Sequence, residues 1–267
     1  MSLETNGLPR KGHLKAVELM IKKEIIVQVR ELEMKLGKDQ RIYCRPTDDG
    51  LKCISTQIED NNAMTGIVEE GNTKDFYFGP KKRLLTEKKY IYKSPRRNKD
   101  GAEGRFEAWL IYQALKNDLQ LPEGLEHLLF VNSQWRFDKQ QEEDKVNIST
   151  TKRGKQFLDL LAFDVDAKRF IVIELKKKGA EDRSFAKEQA AKYCAKLEKH
   201  PKEFSEFFLE LLSNMILMYV KPSKQDKLME SVRKIKQEKV GLEFVPMAIE
   251  PISEIINNNS IVQFREI

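Results

Sequence analysis

The stretch FLDLLAFDVDAKRFIVIELKKK, residues 157–178, constrains what this chain can fold into more than any other. Two apolar, β-branched runs, 157–163 and 170–176, flank the polar, turn-prone residues Asp164, Val165, Asp166, Ala167 and Lys168. Runs of this kind on either side of a turn pair as an antiparallel hairpin. A loop with an even number of residues centred on Asp166 and Ala167 sets Val165 opposite Lys168, and the same count sets Asp159 opposite Glu174. Opposed side chains lie roughly 4.5–5.5 Å apart at Cβ on one face. Strand side chains return to a face every two residues, so Lys176 joins the pair. A slip of one residue would turn Glu174 and Lys176 to the other face of the sheet.

Two carboxylates held that close repel, and the pair costs stability unless a proton or a cation lies between them. Oxygen ligands favour a hard cation, so Mg²⁺ or Mn²⁺ is expected, held by Asp159 and Glu174 with the main-chain carbonyl of Leu175 as an additional ligand and water completing the octahedron. Such an ion lowers the pKa of bound water and offsets charge on a phosphodiester, and the Lys176 ammonium is placed to orient that water or to stabilise the transition state. On these residues alone the alternative stays open that Asp159, Glu174 and Lys176 face solvent on an exposed hairpin.

The neighbouring segments give the hairpin a context. Residues 103–116 carry Phe106, Trp109, Leu110 and Leu115 at helical spacing, with Glu103 and Glu107 four apart on one face. Residues 128–137 (LLFVNSQWRF) read as a strand, and residues 184–199, rich in Ala, Lys and Glu, read as a helix. Residues 214–220 (NMILMYV) read as a buried strand stopped by Pro222. The expected order is helix, three strands, helix, strand.

In that order, and in LDLLAFD, FIVIELKKK and EQAAKYCAKL, the chain from residue 101 to about 220 resembles the PD-(D/E)XK nuclease superfamily, most closely the NucS-type endonucleases and more distantly the RecB-type nuclease domains. The resemblance implies an α/β (α+β) fold with a restriction-endonuclease-like α-β-β-β-α-β core around a mixed sheet, and a Mg²⁺-dependent deoxyribonuclease, an endonuclease or exonuclease in a repair, restriction or defence role. By the same resemblance Asp159 and Glu174 are metal ligands, Lys176 acts on the attacking water, and Gln189 and Tyr193, four apart on the following helix, support the site or the DNA backbone. Glu107 resembles the helical glutamate that precedes the core, with Glu103 as its competitor. Leu158 stands where the proline that names the superfamily would be.

Charge distribution agrees with a polyanionic partner. Lys and Arg outnumber Asp and Glu by 48 to 42, for a net charge of +6, and the apolar fraction of 40% fits a globular protein. Residues 81–105 hold ten Lys or Arg against three acids, with Tyr90 and Tyr92 interleaved, a pattern able to track phosphates and stack a base. Lys152, Arg153 and Lys155 precede the first strand of the hairpin and Lys177 and Lys178 follow the second, so all five are candidate DNA contacts. Pro95 and Gly101 mark a boundary in a basic linker, dividing the chain into 1–95 and 96–267. The expected partner is DNA. Its strand geometry, and RNA in its place, are left open.

The first segment reads as a small α+β module for DNA recognition or dimerisation, which leaves a homodimer as an option. An apolar stripe from Leu14 to Leu36 predicts a helix over 13–36 ended by Gly37, followed by short strands at RIYCRP, LKCIST and DFYFG with turns at 48–50 and 60–62. Cys44, Cys53 and Cys194 form no metal-ligand spacing and are read as residues of a reducing compartment, and His13, His127 and His200 lie in no metal motif. With no signal peptide and no apolar run near the roughly 20 residues a bilayer needs, a cytoplasmic protein with no membrane partner is expected. At the carboxyl end a strand in GLEFVPMAIE, a short helix and a last strand are expected to complete the sheet.

Overall fold

The computed structural model describes residues 9, 11–36, 41–47, 50–59, 62–64, 76–78, 102–137, 156–257 and 259–267. The fold is mixed α/β. Helices α1 (Lys11–Met20) and α2 (Lys23–Leu36) lead into strands β1 (Ile42–Thr47), β2 (Gly50–Ser55), β3 (Gln57–Glu59), β4 (Asn62–Met64) and β5 (Phe76–Phe78). Helix α3 (Ala102–Lys116) then precedes β6 (Leu128–Phe137), β7 (Gln156–Asp164) and β8 (Arg169–Leu175), and helices α4 (Ala186–Leu197), α5 (Pro201–Tyr219) and α6 (Pro222–Glu238) precede β9 (Phe244–Pro251) and β10 (Phe264–Glu266).

The central sheet has the order β10-β9-β8-β7-β6. The β6-β7-β8 meander is antiparallel, β9 runs parallel to β8, and β10 closes the far edge antiparallel to β9. The register expected for the hairpin is the observed one: Leu160 faces Ile173, Phe163 faces Phe170 and Asp164 faces Arg169. Its turn is fixed locally, because Asp164 Oδ1 accepts the Ala167 N–H at 3.0 Å and Lys168 takes a left-handed φ of 53°.

Two expectations about this half fail. Residues 214–219 are the last turns of helix α5, capped by an extended Val220, and the strand parallel to β8 is β9, from Phe244 to Pro251. Asn214, Met215, Ile216 and Met218 are all buried, with Asn214 Nδ2 donating to the Val17 carbonyl at 2.8 Å, so α5 is apolar nearly all round because helix α1 covers one side and the sheet another. An apolar run seven residues long does not distinguish such a helix from a buried strand. At the carboxyl end no helix stands between Pro251 and Phe264 among the described residues, where Ser260 and Asn257 form local hydrogen-bonded turns instead.

The amino-terminal elements follow the expected pattern with one break. Strands β1, β2 and β5 form a three-stranded antiparallel sheet and β3 pairs with β4 as a hairpin. The single helix expected over 13–36 is two, interrupted at Ile21 and Lys22, where the Lys22 N–H turns back to the Leu19 carbonyl at 3.1 Å. No Pro or Gly causes it. The break lets α1 pack on α5 and on the β1-β2 hairpin while α2 packs on β1. Cys44 and Cys53, expected as thiols, face each other across β1 and β2 and are joined as a disulfide, with Cα atoms 4.2 Å apart. The division expected at residues 95 and 96 lies outside the described residues. A continuous apolar core runs from Ala16, Val17 and Met20 through Tyr43 and Phe130 to Phe170, Phe208 and Phe244. No helix of the described residues is long and apolar enough to cross a membrane.

Candidate active site

The β7-β8 ladder ends at Leu160 and Ile173, and one step further along stand Asp159 and Glu174. There the side chain of Asp159 takes over the role of a ladder carbonyl, with Oδ2 accepting the Leu175 N–H at 2.9 Å. Glu174 is 3% exposed, Lys176 6% and Asp159 half-buried, so the carboxylate pair and the ammonium are gathered at the end of the hairpin, and the alternative of solvent-facing residues does not hold for Glu174 and Lys176. Lys176 Nζ lies 3.3 Å from Glu174 Oε1 and 3.4 Å from Asp182 Oδ2. Strand β9 supports the same point from the other side, the Lys176 N–H donating to the Ile249 carbonyl at 3.1 Å.

Electrostatics follow from the burial. Desolvation, and then the neighbouring charge of Asp159, pushes the Glu174 carboxyl well above the ordinary carboxylate range, with Lys176 pulling the other way. Burial raises Asp159 as well, opposed by the Leu175 N–H and reinforced by Glu103. Burial works to lower the Lys176 ammonium, but Glu174, Asp182 and Glu103 outweigh it and the net shift is upward. Both shifts favour retention of a proton by the pair, the first of the two remedies for opposed carboxylates.

Helix α3 presents both of its candidate glutamates to the hairpin. Glu103 Oε1 accepts the Lys177 N–H at 3.3 Å, at the exit of β8, and its charge acts on Asp159, Glu174 and Lys176. Glu107 sits one turn further in, its Oε2 accepting from Gln134 Nε2 at 3.1 Å, and burial together with the charge of Asp159 pushes it up to about 7. On α4, Gln189 Nε2 donates to the Tyr193 hydroxyl at 3.1 Å, and the Tyr193 ring stacks on Phe137 at 5.3 Å with an interplanar angle of 12°. Burial raises the Tyr193 hydroxyl, and the charges of Glu174 and Asp159 add to it, so the helix face expected to serve the site is the one turned toward it.

Three contributors were not foreseen. Gln134, opposite Asp159 in the β6-β7 register between Ser133↔Leu160 and Trp135↔Leu158, takes a left-handed φ of 52° that aims its amide at Glu107. Asp182 is the second partner of Lys176. Glu250 on β9, 1% exposed, holds the Gly179 N–H at 3.2 Å and the Arg265 guanidinium, which shapes the turn after Lys176. No spacing announced these residues: Gln134 and Glu250 are brought in by pairing between distant segments, and Asp182 by the turn that follows β8. Of the five candidate DNA contacts, Lys177 and Lys178 are exposed beside the site, and Lys152, Arg153 and Lys155 lie outside the described residues. So does most of the basic stretch 81–105.

The donor set fits a hard divalent cation. Glu174 Oε2 is buried with no partner among the described residues, and the half-buried Asp159 carboxylate stands beside it. No three His, Cys, Asp or Glu side chains converge to hold a metal by themselves among the described residues, so the pair would need the Leu175 carbonyl and water to complete a shell. Comparison of the chain with family models, curated proteins and solved structures finds no match.

Proposed function

We propose that this chain is a Mg²⁺- or Mn²⁺-dependent nuclease that hydrolyses phosphodiester bonds of DNA, acting as an endonuclease on a restriction-endonuclease-like core. The observation that carries the reading is the pair of a half-buried Asp159 and a buried Glu174 with the buried Lys176 at the open end of a hairpin. A protein that only binds DNA has no need of two carboxylates there, where they repel phosphate. The order of elements supports it in part: α3, the β6-β7-β8 meander, α4, and β9 parallel to β8 follow the α-β-β-β-α-β sequence that the resemblance implies, with α5 and α6 standing between α4 and the last strand.

Asp159, Glu174 and the Leu175 carbonyl would hold the ion, with Glu107 or Glu103 facing it through water. When bound, the ion acidifies a water and stabilises charge on the phosphate. Lys176, fixed between Glu174 and Asp182, would supply an ammonium able to orient an attacking water and to offset charge on the phosphate. Gln134 restrains Glu107, and the Gln189-Tyr193 pair lies within the electrostatic reach of Asp159 and Glu174. Lys177 and Lys178 meet the phosphate backbone at the rim.

Cleavage of labelled single-stranded, duplex and flap DNA in Mg²⁺, Mn²⁺ or EDTA tests the reading, comparing wild type with Glu174→Gln and Lys176→Ala. Cutting that requires metal and is lost in both variants is expected. Tight DNA binding without cleavage in either metal would replace the nuclease by a non-catalytic nucleic-acid-binding protein.

A further inference from the structure

The amino-terminal hairpin reaches the carboxylate site through two residues on one face of β1. Tyr43 and Arg45 are two apart and so point the same way. The Tyr43 hydroxyl donates to Asn132 Oδ1 at 2.7 Å and accepts the Ser133 N–H at 3.0 Å, satisfying a main-chain donor of the edge strand β6. These contacts fall just past the bulge that separates Phe130 from Asn132. Arg45 follows along the same strand, its Nη1 directed at the Ser133 carbonyl at 3.5 Å. The next residue of β6 is Gln134, the left-handed residue whose amide holds Glu107. The guanidinium also acts directly on Glu107 through its charge.

Arg45 is not saturated by these contacts. Its Nε is buried without a partner among the described residues, as are Asn132 Nδ2 and Ser133 Oγ in the stretch it touches. A purely structural arginine would be expected to spend its donors on carbonyls or a carboxylate, because unpaired buried donors cost stability. Here a spare donor stands beside Glu107, on a side chain that contacts the residue preceding the left-handed Gln134.

We propose that Arg45 is a positioning residue of the carboxylate site, holding the Ser133-Gln134 stretch and, through it and its own charge, the carboxylate of Glu107, so that the amino-terminal hairpin is an integral part of metal loading. The proposal rests on the metal-dependent reading given above. It makes a segment outside the core elements, and one that carries no residue of the acidic pair, decide how well that pair is completed.

Titration of the full-length protein with Mn²⁺ by calorimetry, without DNA, is the test, run on wild type, Arg45→Ala, Arg45→Gln and Arg45→Lys beside their cleavage kinetics. Arg45→Ala is expected to weaken Mn²⁺ by about tenfold, the range seen when outer-shell partners of metal ligands are removed, and to lower kcat while KM for DNA stays the same. Arg45→Lys should recover part of the Mn²⁺ affinity. Arg45→Gln, which keeps a donor for the Ser133 carbonyl without the charge, should bind Mn²⁺ less tightly than wild type even if Arg45→Ala fails to fold. Unchanged Mn²⁺ affinity in the folded variants overturns the proposal, and an accompanying rise in KM would make Arg45 a DNA contact instead. Wild type that binds no Mn²⁺ overturns the metal reading and this proposal together, whereas equal binding by wild type and variants overturns this proposal alone.

Discussion

Glu174→Gln in the metal-free protein isolates what the carboxylate pair costs. Both acids have folded-state pKa values raised above their ordinary ones, so the native pair retains a proton that the unfolded chain has already released above its ordinary carboxylate pKa. The sign is therefore that of a raised acid: stability is complete in acid and is lost as pH rises through the folded pKa. One retained proton corresponds to about 1.4 kcal/mol per pH unit. From pH 5 to pH 7 that amounts to roughly 3 kcal/mol, or about half of it once relaxation and water entry are allowed for. In a chain of this size about 1.5–3 kcal/mol shifts Tm by roughly 3–12 °C. Gln is the neutral isostere of the protonated acid, and Lys176 keeps Asp182 at 3.4 Å as a partner. The variant should thus melt close to wild type near pH 5 and several degrees above it near pH 8, in EDTA. Saturating Mg²⁺ should raise the wild-type Tm at pH 8 and leave the variant nearly unmoved. A variant less stable than wild type at pH 8, or two melting profiles that stay parallel across the range, would refute the reasoning.

Other perturbations test the packing that presents the site. Tyr43→Phe strands Asn132 Oδ1 and the Ser133 N–H without a partner and should cost about 1–3 kcal/mol in urea unfolding; a change under about 0.5 kcal/mol, the range of a neutral surface substitution, would show that water replaces the hydroxyl. Gly241→Ala puts a Cβ 2.9 Å from Pro201 Cβ and 3.1 Å from the Lys202 nitrogen, so a loss of about 1–3 kcal/mol is expected at the start of α5, read by the same denaturation. Asp118 accepts the Lys221 N–H at 3.0 Å and Lys224 Nζ at 2.8 Å, and although burial works against its charge these partners hold it below its ordinary pKa. A depressed acid stabilises above its unfolded pKa and ceases to as pH falls through the folded one, so Asp118→Asn should lower Tm at pH 7 and have little effect in strong acid.

The site was legible in the sequence where a local rule governs it. Period two and an even turn suffice to bring Asp159 to Glu174, because nothing outside 157–176 is needed to set that register. The helix at 102–116 and the strand at 128–137 were legible for the same reason, as periodic runs with clear ends. What failed depends on distant partners. Residues 214–220 read as a strand because their apolar density reflects burial against α1 and the sheet and says nothing of period. The break at Ile21 and Lys22 has no signal in its own residues, since it is imposed by the separate surfaces that α1 and α2 cover. Gln134, Asp182 and Glu250 are ordinary polar residues in sequence. They acquire roles only once β6 lies against α3, the turn after β8 curls back on Lys176, and β9 arrives beside β8.

The late position of β9 has a consequence for how the protein is made. The β6-β7-β8 meander closes through local hairpins and can form while synthesis is still in progress, but the strand that pairs with the outer side of β8 emerges only after α4, α5 and α6. Until then β8 is an exposed edge with its main chain open to any passing strand, and Glu174 and Lys176 sit on that edge. The nascent chain therefore carries the acidic residues of the site well before it carries the scaffold that buries them. A translation product that stops short of residue 244 should be prone to aggregate, so the order of synthesis itself withholds the assembled carboxylate site until the rest of the molecule is in place.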